Sequence, residues 1–344
     1  MMDTGWIRLP WQDTVWQQLQ APGASMHHAM LLRGPAGIGK GRLARALAAS
    51  LLCQRPGPSR DACGGCDSCG WLMAGNHPDF RRLSPAATLA EEAEIDGEGD
   101  ATDAGSASKK PSQQITIDQI RGLASFMALT THRGGARVLL VEPADTLNLA
   151  AANALLKTLE EPPPATRFVL VTGQPRRLPA TVLSRCLSIH LPLPSAQQAR
   201  HWLTQQGIAE PADLLAQAGG RPLLALELAD PERAAARRQF LAQLSRPDFD
   251  PHGLAEKAHR DSVPLWVEWM QTWCHDLLLI QVGGLPRFHA DEQPALQGLA
   301  QRADRGRLLD WELRLRTARW ESRQSVNARL FCDDLLMDYR QLFT

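Results

Sequence analysis

The run Gly34-Pro35-Ala36-Gly37-Ile38-Gly39-Lys40 has the residue types and spacing to hold a phosphate. A loop of this kind turns backbone N–H groups towards the anion, the following helix N-terminus adds positive potential, and the lysine reaches the terminal oxygens. The flanks suit it: Ala29 to Leu32 reads as a short apolar strand and Arg42 to Leu52 as a helix. Position 41, however, is glycine, where a serine or threonine hydroxyl usually ligates Mg²⁺. A second departure lies at the end of the buried strand expected over Arg137 to Glu142. A hydrolysing P-loop protein places an acidic pair there, to hold Mg²⁺ and polarise the attacking water, and this chain has Glu142-Pro143, with no base at the second position. Asp145, two residues on, reads as a cap for the next helix. Gly34, Gly37, Gly39 and Lys40 are therefore expected to form a phosphate cradle that binds ATP weakly or not at all and does not hydrolyse it.

Cys53, Cys63, Cys66 and Cys69 follow the spacing C-x9-C-x2-C-x2-C, and Gly64, Gly65 and Gly70 permit the tight turns that let thiolates converge. Tetrahedral Zn²⁺ is the natural occupant, and four protein thiolates leave no open position for water, so such a site is structural. Crowding four of the seven cysteines into one loop suits a reducing compartment with a metal site better than a disulfide framework. Some zinc knuckles bind nucleic acid, but no basic-aromatic interleaving accompanies Arg60 in this loop, which favours a structural or interface role.

A third group is built round an arginine. In the stretch Asn153 to Cys186, helix, strand and a terminal Ser184-Arg185-Cys186 follow one another with little slack. Pro162 to Pro164 stop the helix expected over Ala144 to Glu160 by Glu161. Phe168-Val169-Leu170-Val171 is a continuous apolar run, the pattern of a parallel strand covered on both faces and hence central. Thr172, at its C-terminal end, lies where ligands of open α/β sheets sit. Arg185, after a short apolar turn over Leu178 to Leu183, places a guanidinium that can reach a phosphate. Arg221 opens a helix after Gly219-Gly220 and could face nucleotide phosphates, with a solvated helix-start arginine as the alternative.

The elements that must position these groups read as a parallel α/β sheet followed by helices. Trp11, Val15, Trp16 and Leu19 form the apolar face of a docking helix, and Asp79 to Leu83 is a further short strand. Ser84 to Gln114 shifts to Ala, Glu, Asp, Gly and Ser and is expected to be a disordered acidic insertion. Ile117, Ile120, Ala124 and Met127 line one helix face. The Pro-punctuated run from Leu191 marks a boundary, Ser195 caps a helix through Gln205, and two helices follow between Ala209 and Leu228. Beyond Pro231 the chain is helical. Trp266, Trp269, Met270, Trp273, Leu277 and Ile280 form one packing stripe, and Leu330, Phe331, Leu335 and Leu336 another on a helix over Val326 to Leu342.

A length of 344 residues implies two or three domains, and 44% hydrophobic content is globular. The formal net charge is zero, so no overall basic field advertises nucleic acid and any such contact must be local. The best membrane candidate, Val263 to Gln281, carries Glu268, Gln271, His275 and Asp276, and Arg8, Gln12 and Asp13 interrupt any N-terminal signal, so a cytoplasmic protein with no membrane partner is expected.

Taken together, the loop Gly34 to Lys40, the four-cysteine insert, Asn153 to Pro163 and Ser184-Arg185-Cys186 resemble the bacterial clamp-loader branch of the AAA+ ATPases over nearly the whole chain. Gly41, Glu142-Pro143 and the lack of a long C-terminal extension depart from that branch's motor subunits. The resemblance implies a RecA-like AAA+ domain over 1–192 with a zinc module at 53–69, and the insertion 84–114 lies outside the family's pattern. It further implies a three-helix lid over 193–234 and a helical collar over 235–344 that joins five subunits in a ring. Carried over residue by residue, the four cysteines match the zinc module, Lys40 the P-loop lysine, Thr172 the first sensor and Arg221 the second, although Pro222 departs from the motor pattern. Arg185 matches the arginine finger, which enters a neighbouring subunit's ATP site and stabilises charge on the γ-phosphate. The implied role is a non-hydrolysing stator within a replicative polymerase assembly at the nucleoid. Its implied partners are gamma/tau-type motor subunits, a delta subunit, the sliding clamp and primed DNA. The rival reading is an autonomous ATP-hydrolysing motor subunit.

Overall fold

A computed structural model of the chain describes residues 4–20, 27–95, 111–132, 135–246, 248–322 and 326–343, with the backbone alone at 91–95. The chain divides into two compact units, Met1–Gln198 and Ala199–Thr344.

Five strands form the first unit's sheet: β1 (Ala29–Arg33), β2 (Phe80–Leu83), β3 (Arg137–Val141), β4 (Thr166–Thr172) and β5 (Leu187–His190). Their order is β2-β3-β4-β1-β5 and every pairing is parallel, which makes β4 the central strand its apolar run predicts. Side chains alternate across the pleat, so each strand feeds two cores. Ala29, Leu31, Leu139, Val141, Phe168 and Leu170 pack on one face with the helix Leu149–Glu160. Met30, Leu32, Val138, Leu140, Val169 and Val171 pack on the other with the helix Lys40–Leu52 and with Val15, Trp16 and Leu19 of the helix Asp13–Gln20. The result is the α/β P-loop domain with a parallel sheet that the sequence implies.

Several boundaries differ from expectation. The helix expected from Ala144 is a short 3₁₀ turn, Ala144–Thr146, followed by a separate helix Leu149–Glu160. Asn148 starts that helix, its side chain accepting from the Ala151 amide at 2.8 Å. Gly122 breaks the helix expected through Ile117, Ile120, Ala124 and Met127 into Ile117–Arg121 and Leu123–Ala128, which turns Leu123 and Phe126 inward and leaves Ala124 exposed. β5 was not anticipated, because an edge strand with only Ile189 buried carries almost no pattern. The disorder expected from Ser84 needs correction at its start. Ser84 is buried and donates to Glu142 O at 2.5 Å, and Ala86–Ile95 is a helix rich in strong helix formers. Residues 96–110 of that insertion lie outside the described residues.

The second unit is helical. Pro211–Gln217, Pro222–Leu228, Pro231–Leu244 and Pro251–Ala255 all begin on proline, whose missing N–H is no loss in a first turn. The helix Pro231–Leu244 runs across residue 235, where a lid-to-collar boundary is expected. Trp266, Trp269, Met270, Trp273 and Leu277 of the helix Val263–Gln281 are buried as their spacing predicts. Trp273 Nε1 donates to Tyr339 OH at 2.9 Å and that hydroxyl donates to Leu244 O at 2.8 Å, so one hydrogen-bond chain ties three helices. Leu330 is a correction: it is 65% exposed, because the helix Ala328–Arg340 turns Cys332, Leu335, Leu336 and Tyr339 inward. Among the described residues no helix is long and apolar enough to cross a membrane.

Asp276 is fully buried, and it accepts from the amides of Arg287, Phe288 and His289 at 2.8 to 2.9 Å and pairs with His289 Nδ1 at 2.9 Å. Burial alone would raise its pKa, but these hydrogen bonds outweigh that and hold it below the ordinary carboxylate value. A depressed carboxylate contributes stability above its unfolded pKa of about 3.9 and loses it as pH falls through the lower folded value. Asp276→Asn should therefore destabilise the protein by on the order of 3 kcal/mol at neutral pH, with the difference shrinking below pH 4. Denaturant titrations of both proteins across that range would check it.

Candidate functional site

The glycine loop joins β1 to the helix Lys40–Leu52, with Gly39 at the helix N-cap in the left-handed region at φ 85°. A larger residue would be strained at that φ, and its Cβ would lie 2.2 Å from Leu9 Cδ1, which would have to move. The segment before β1 covers the loop further. Trp11 Nε1 donates to Ile38 O at 3.1 Å, and Gln12 Nε2 donates to Gly39 O at 2.8 Å. Lys40 is buried and folds back to donate to Pro35 O of its own loop at 2.7 Å. Burial lowers its pKa against the opposing pull of the Asp145 and Glu142 carboxylates.

Gly41 faces Glu142. A Cβ at position 41 would meet Glu142 Oε1 at 1.8 Å, so the carboxylate fills the volume that a serine or threonine side chain would enter. Glu142 in turn receives Arg45 Nη1 at 3.0 Å and lies 3.7 Å from Arg82 Nη2. Thr172, buried at the end of β4, donates its hydroxyl to Asp145 Oδ1 at 2.6 Å, and the Gly173 amide reaches the same oxygen at 3.1 Å. Asp145 therefore does not cap the following helix. It is held against the strand end, and Asn148 caps instead. The structure thus brings Gly34, Gly37, Gly39, Lys40 and Thr172 together at the C-terminal edge of the sheet, with Lys40, Glu142 and Thr172 each engaged by another group of the same chain.

The four cysteines converge. Cys53 ends the helix Lys40–Leu52, Cys66 precedes the helix Asp67–Met73 and Cys69 sits inside it. Their sulfurs all lie within 4.8 Å of one another, with Cys53–Cys66 at 3.9 Å and Cys66–Cys69 at 3.5 Å. Zn–S bonds of about 2.3 Å in a tetrahedron put sulfurs roughly 3.8 Å apart, so this donor set fits a structural zinc ion. Ser68, between two of the ligands, donates to Leu52 O at 2.6 Å and contacts His77 Nε2 at 2.8 Å, fixing the loop to the body of the unit.

Arg185 stands apart. It follows the short helix Ala180–Leu183 and precedes β5, whose Leu187 pairs with Met30 near the start of β1. Because β1 and β5 are parallel, Arg185 lies at the sheet's N-terminal edge, beside His27 and His28, while the glycine loop lies at the C-terminal edge. A five-residue strand such as β1 spans roughly 17 Å, which separates this guanidinium from its own cradle. Arg185 pairs with Glu160 and donates to Thr181 O at 2.9 Å. Arg221, in the second unit, donates to Ala218 O at 2.6 Å and to Glu268 at 3.3 Å.

Two family models match the chain, "DNA polymerase III, delta subunit" over residues 11–195 and the C-terminal part of the same description over residues 231–341. The chain is 37% identical to DNA polymerase III subunit delta' of Pseudomonas aeruginosa PAO1, covering 97% of each. The chain belongs to the DNA polymerase III delta' family. It is also 32% identical to the delta' subunit of Escherichia coli K12, over 88% of this chain and 84% of that one. A shorter match, 34% identical over 52% of this chain and 24% of the other, is to subunit tau of the same organism. Membership in the delta' family sets the P-loop domain and its helical sequel among the AAA+ proteins of the clamp loader.

What sequence reasoning missed in this delta' chain is the cover over the cradle. Glu142 was read as half of a degraded pair and not as the occupant of the space at Gly41. The cue was a glycine where a hydroxyl residue is usual, together with arginines at 45 and 82, but nothing in the spacing joins positions so far apart. Gly41→Ser should lower unfolding free energy by about 1 kcal/mol by displacing Glu142 from Arg45, and in a Glu142→Ala background the same serine should cost close to nothing. A double-mutant cycle in denaturant measures that coupling. For the cysteines, elemental analysis should find one equivalent of zinc, and Cys66→Ser or prolonged chelation should remove it and lower the melting temperature.

Proposed function

We propose that this chain is a non-hydrolysing stator of the DNA polymerase III clamp loader. It lends Arg185 in trans to the ATP site of an adjacent gamma/tau-type motor subunit and helps load the sliding clamp onto primed DNA at the nucleoid-associated replisome. The lid at 193–234 and collar at 235–344 serve its place beside the motor and delta subunits in a five-membered ring, and a zinc ion on the four cysteines stiffens the first unit. The observation that carries the reading is the placement of Arg185 on the opposite edge of the sheet from its own glycine loop. A guanidinium there cannot serve its own nucleotide, and the resemblance of Ser184-Arg185-Cys186 to the arginine-finger motif assigns it to a nucleotide bound by another chain.

The state of the cradle supports the same reading. Hydrolysis needs a Mg²⁺ ligand and a base, and here Gly41 supplies no hydroxyl, Pro143 supplies no base, and Glu142 and Thr172 are bound to Arg45 and Asp145. Arg221 is occupied by Glu268, which argues against a second-sensor role for it. The autonomous-motor reading is favoured by one feature, Lys40 at the end of an intact glycine turn.

One experiment separates the two. In a reconstituted loader, Arg185→Ala should leave assembly intact and cut turnover at the adjacent site by on the order of 10³, lowering total ATPase by that site's share. Unimpaired ATPase and clamp loading would contradict the stator role, and ATP turnover by the isolated chain at a motor subunit's rate would establish the rival.

A further inference from the structure

Glu160 ends the helix Leu149–Glu160, where unsatisfied carbonyls present the negative end of the helix dipole. A carboxylate is unfavourable at that place unless a cation faces it, and the cation is Arg185. Its Nη2 pairs with Glu160 Oε1 while its Nη1 donates to Thr181 O at 2.9 Å, so both terminal nitrogens are held. The pair lies in an open cleft of about 520 Å³ shared with His27 and His28. Each histidine is tied to a backbone carbonyl, His27 Nδ1 to Ala29 O at 2.6 Å and His28 Nε2 to Leu159 O at 2.9 Å. Across this cleft the Glu160 carboxylate meets Arg185.

We infer that Glu160 is a positioning residue that holds Arg185 in reserve, and that the triphosphate on a neighbouring subunit has to draw the guanidinium away from it. The inference rests on the stator reading. A guanidinium neutralised by a carboxylate offers little net charge to a phosphate, so Arg185 is quiet while the pair persists. The side chains are 34% and 49% exposed, and a pair screened to that degree biases an equilibrium by no more than about fivefold. A triphosphate can therefore displace it.

Glu160→Gln keeps the shape and removes the charge. In the reconstituted loader it should lower the KM for ATP at the adjacent site roughly three- to fivefold while changing kcat by less than about twofold, and the effect should vanish in an Arg185→Ala background. An unchanged KM overturns the inference. So does a fall in kcat like that of Arg185→Ala, which would make Glu160 an aid to the finger, or an effect that survives removal of Arg185. If Arg185→Ala alone leaves turnover intact, the stator reading falls and takes this inference with it. If Arg185→Ala impairs turnover and Glu160→Gln does nothing, the holding role alone is lost.

Discussion

The Glu142 carboxylate in the space beside Gly41 is the contact on which the state of the cradle depends. A half-buried carboxylate needs a partner, and Arg45 provides it at 3.0 Å. The same residue is anchored along its backbone, its amide donating to Leu83 O at 2.9 Å and its carbonyl receiving the Ser84 hydroxyl. The end of β2, the end of β3 and the helix after the glycine loop are thereby joined through one residue. Gly41 and Glu142 are not two independent losses from a motor's site. They are a matched pair, since a hydroxyl residue at 41 and this carboxylate claim the same volume.

The N-terminal segment adds a second constraint, because it grips the cradle and the cysteine loop at once. Trp11 and Gln12 take the carbonyls of Ile38 and Gly39. A few residues away Arg8 Nε donates to Asp61 at 2.9 Å and Trp16 Nε1 donates to Ser59 O at 2.8 Å, both in the loop that carries Cys63. The Cys53 end of that loop continues the cradle's own helix. The segment therefore has fixed footing on both sides, and a zinc ion on the cysteines would hold one of them rigid.

How much of this was legible in the sequence follows from how local each signal is. The centre of the sheet was readable because β1, β3 and β4 are covered on both faces and announce themselves as apolar runs, and because prolines at 162 to 164 punctuate the chain. The cysteine cluster was readable because all four ligands fall within a short stretch. β5 was not, since an exposed edge has no pattern, and the helix Ala86–Ile95 was hidden by averaging it with the acidic run that follows. The partners of the site residues could not be read at all. Thr172 with Asp145, Glu142 with Arg45 and Arg185 with Glu160 are each 25 or more residues apart, and only the packed sheet brings them into contact.

The polarity of the sheet explains how one end could change without the other. In an all-parallel sheet every strand delivers its C-terminal residues to one edge, which gathers the glycine loop, Glu142 and Thr172 there, and every strand starts from the opposite edge, where Arg185 and Glu160 meet. Between the edges lie β1 and β4, buried along most of their length, and a five-residue strand of roughly 17 Å keeps the side chains of one edge out of contact with those of the other. A chain built this way can fill its own cradle with Glu142 and cover it with Gln12 while the geometry of Arg185 stays as it was. Had Arg185 been set on the strand ends beside the loop, any change that closed the cradle would have moved it as well. The separation imposed by five parallel strands is thus the physical reason that a glycine loop covered by its own chain and a guanidinium clear of that cover can occur in the same domain.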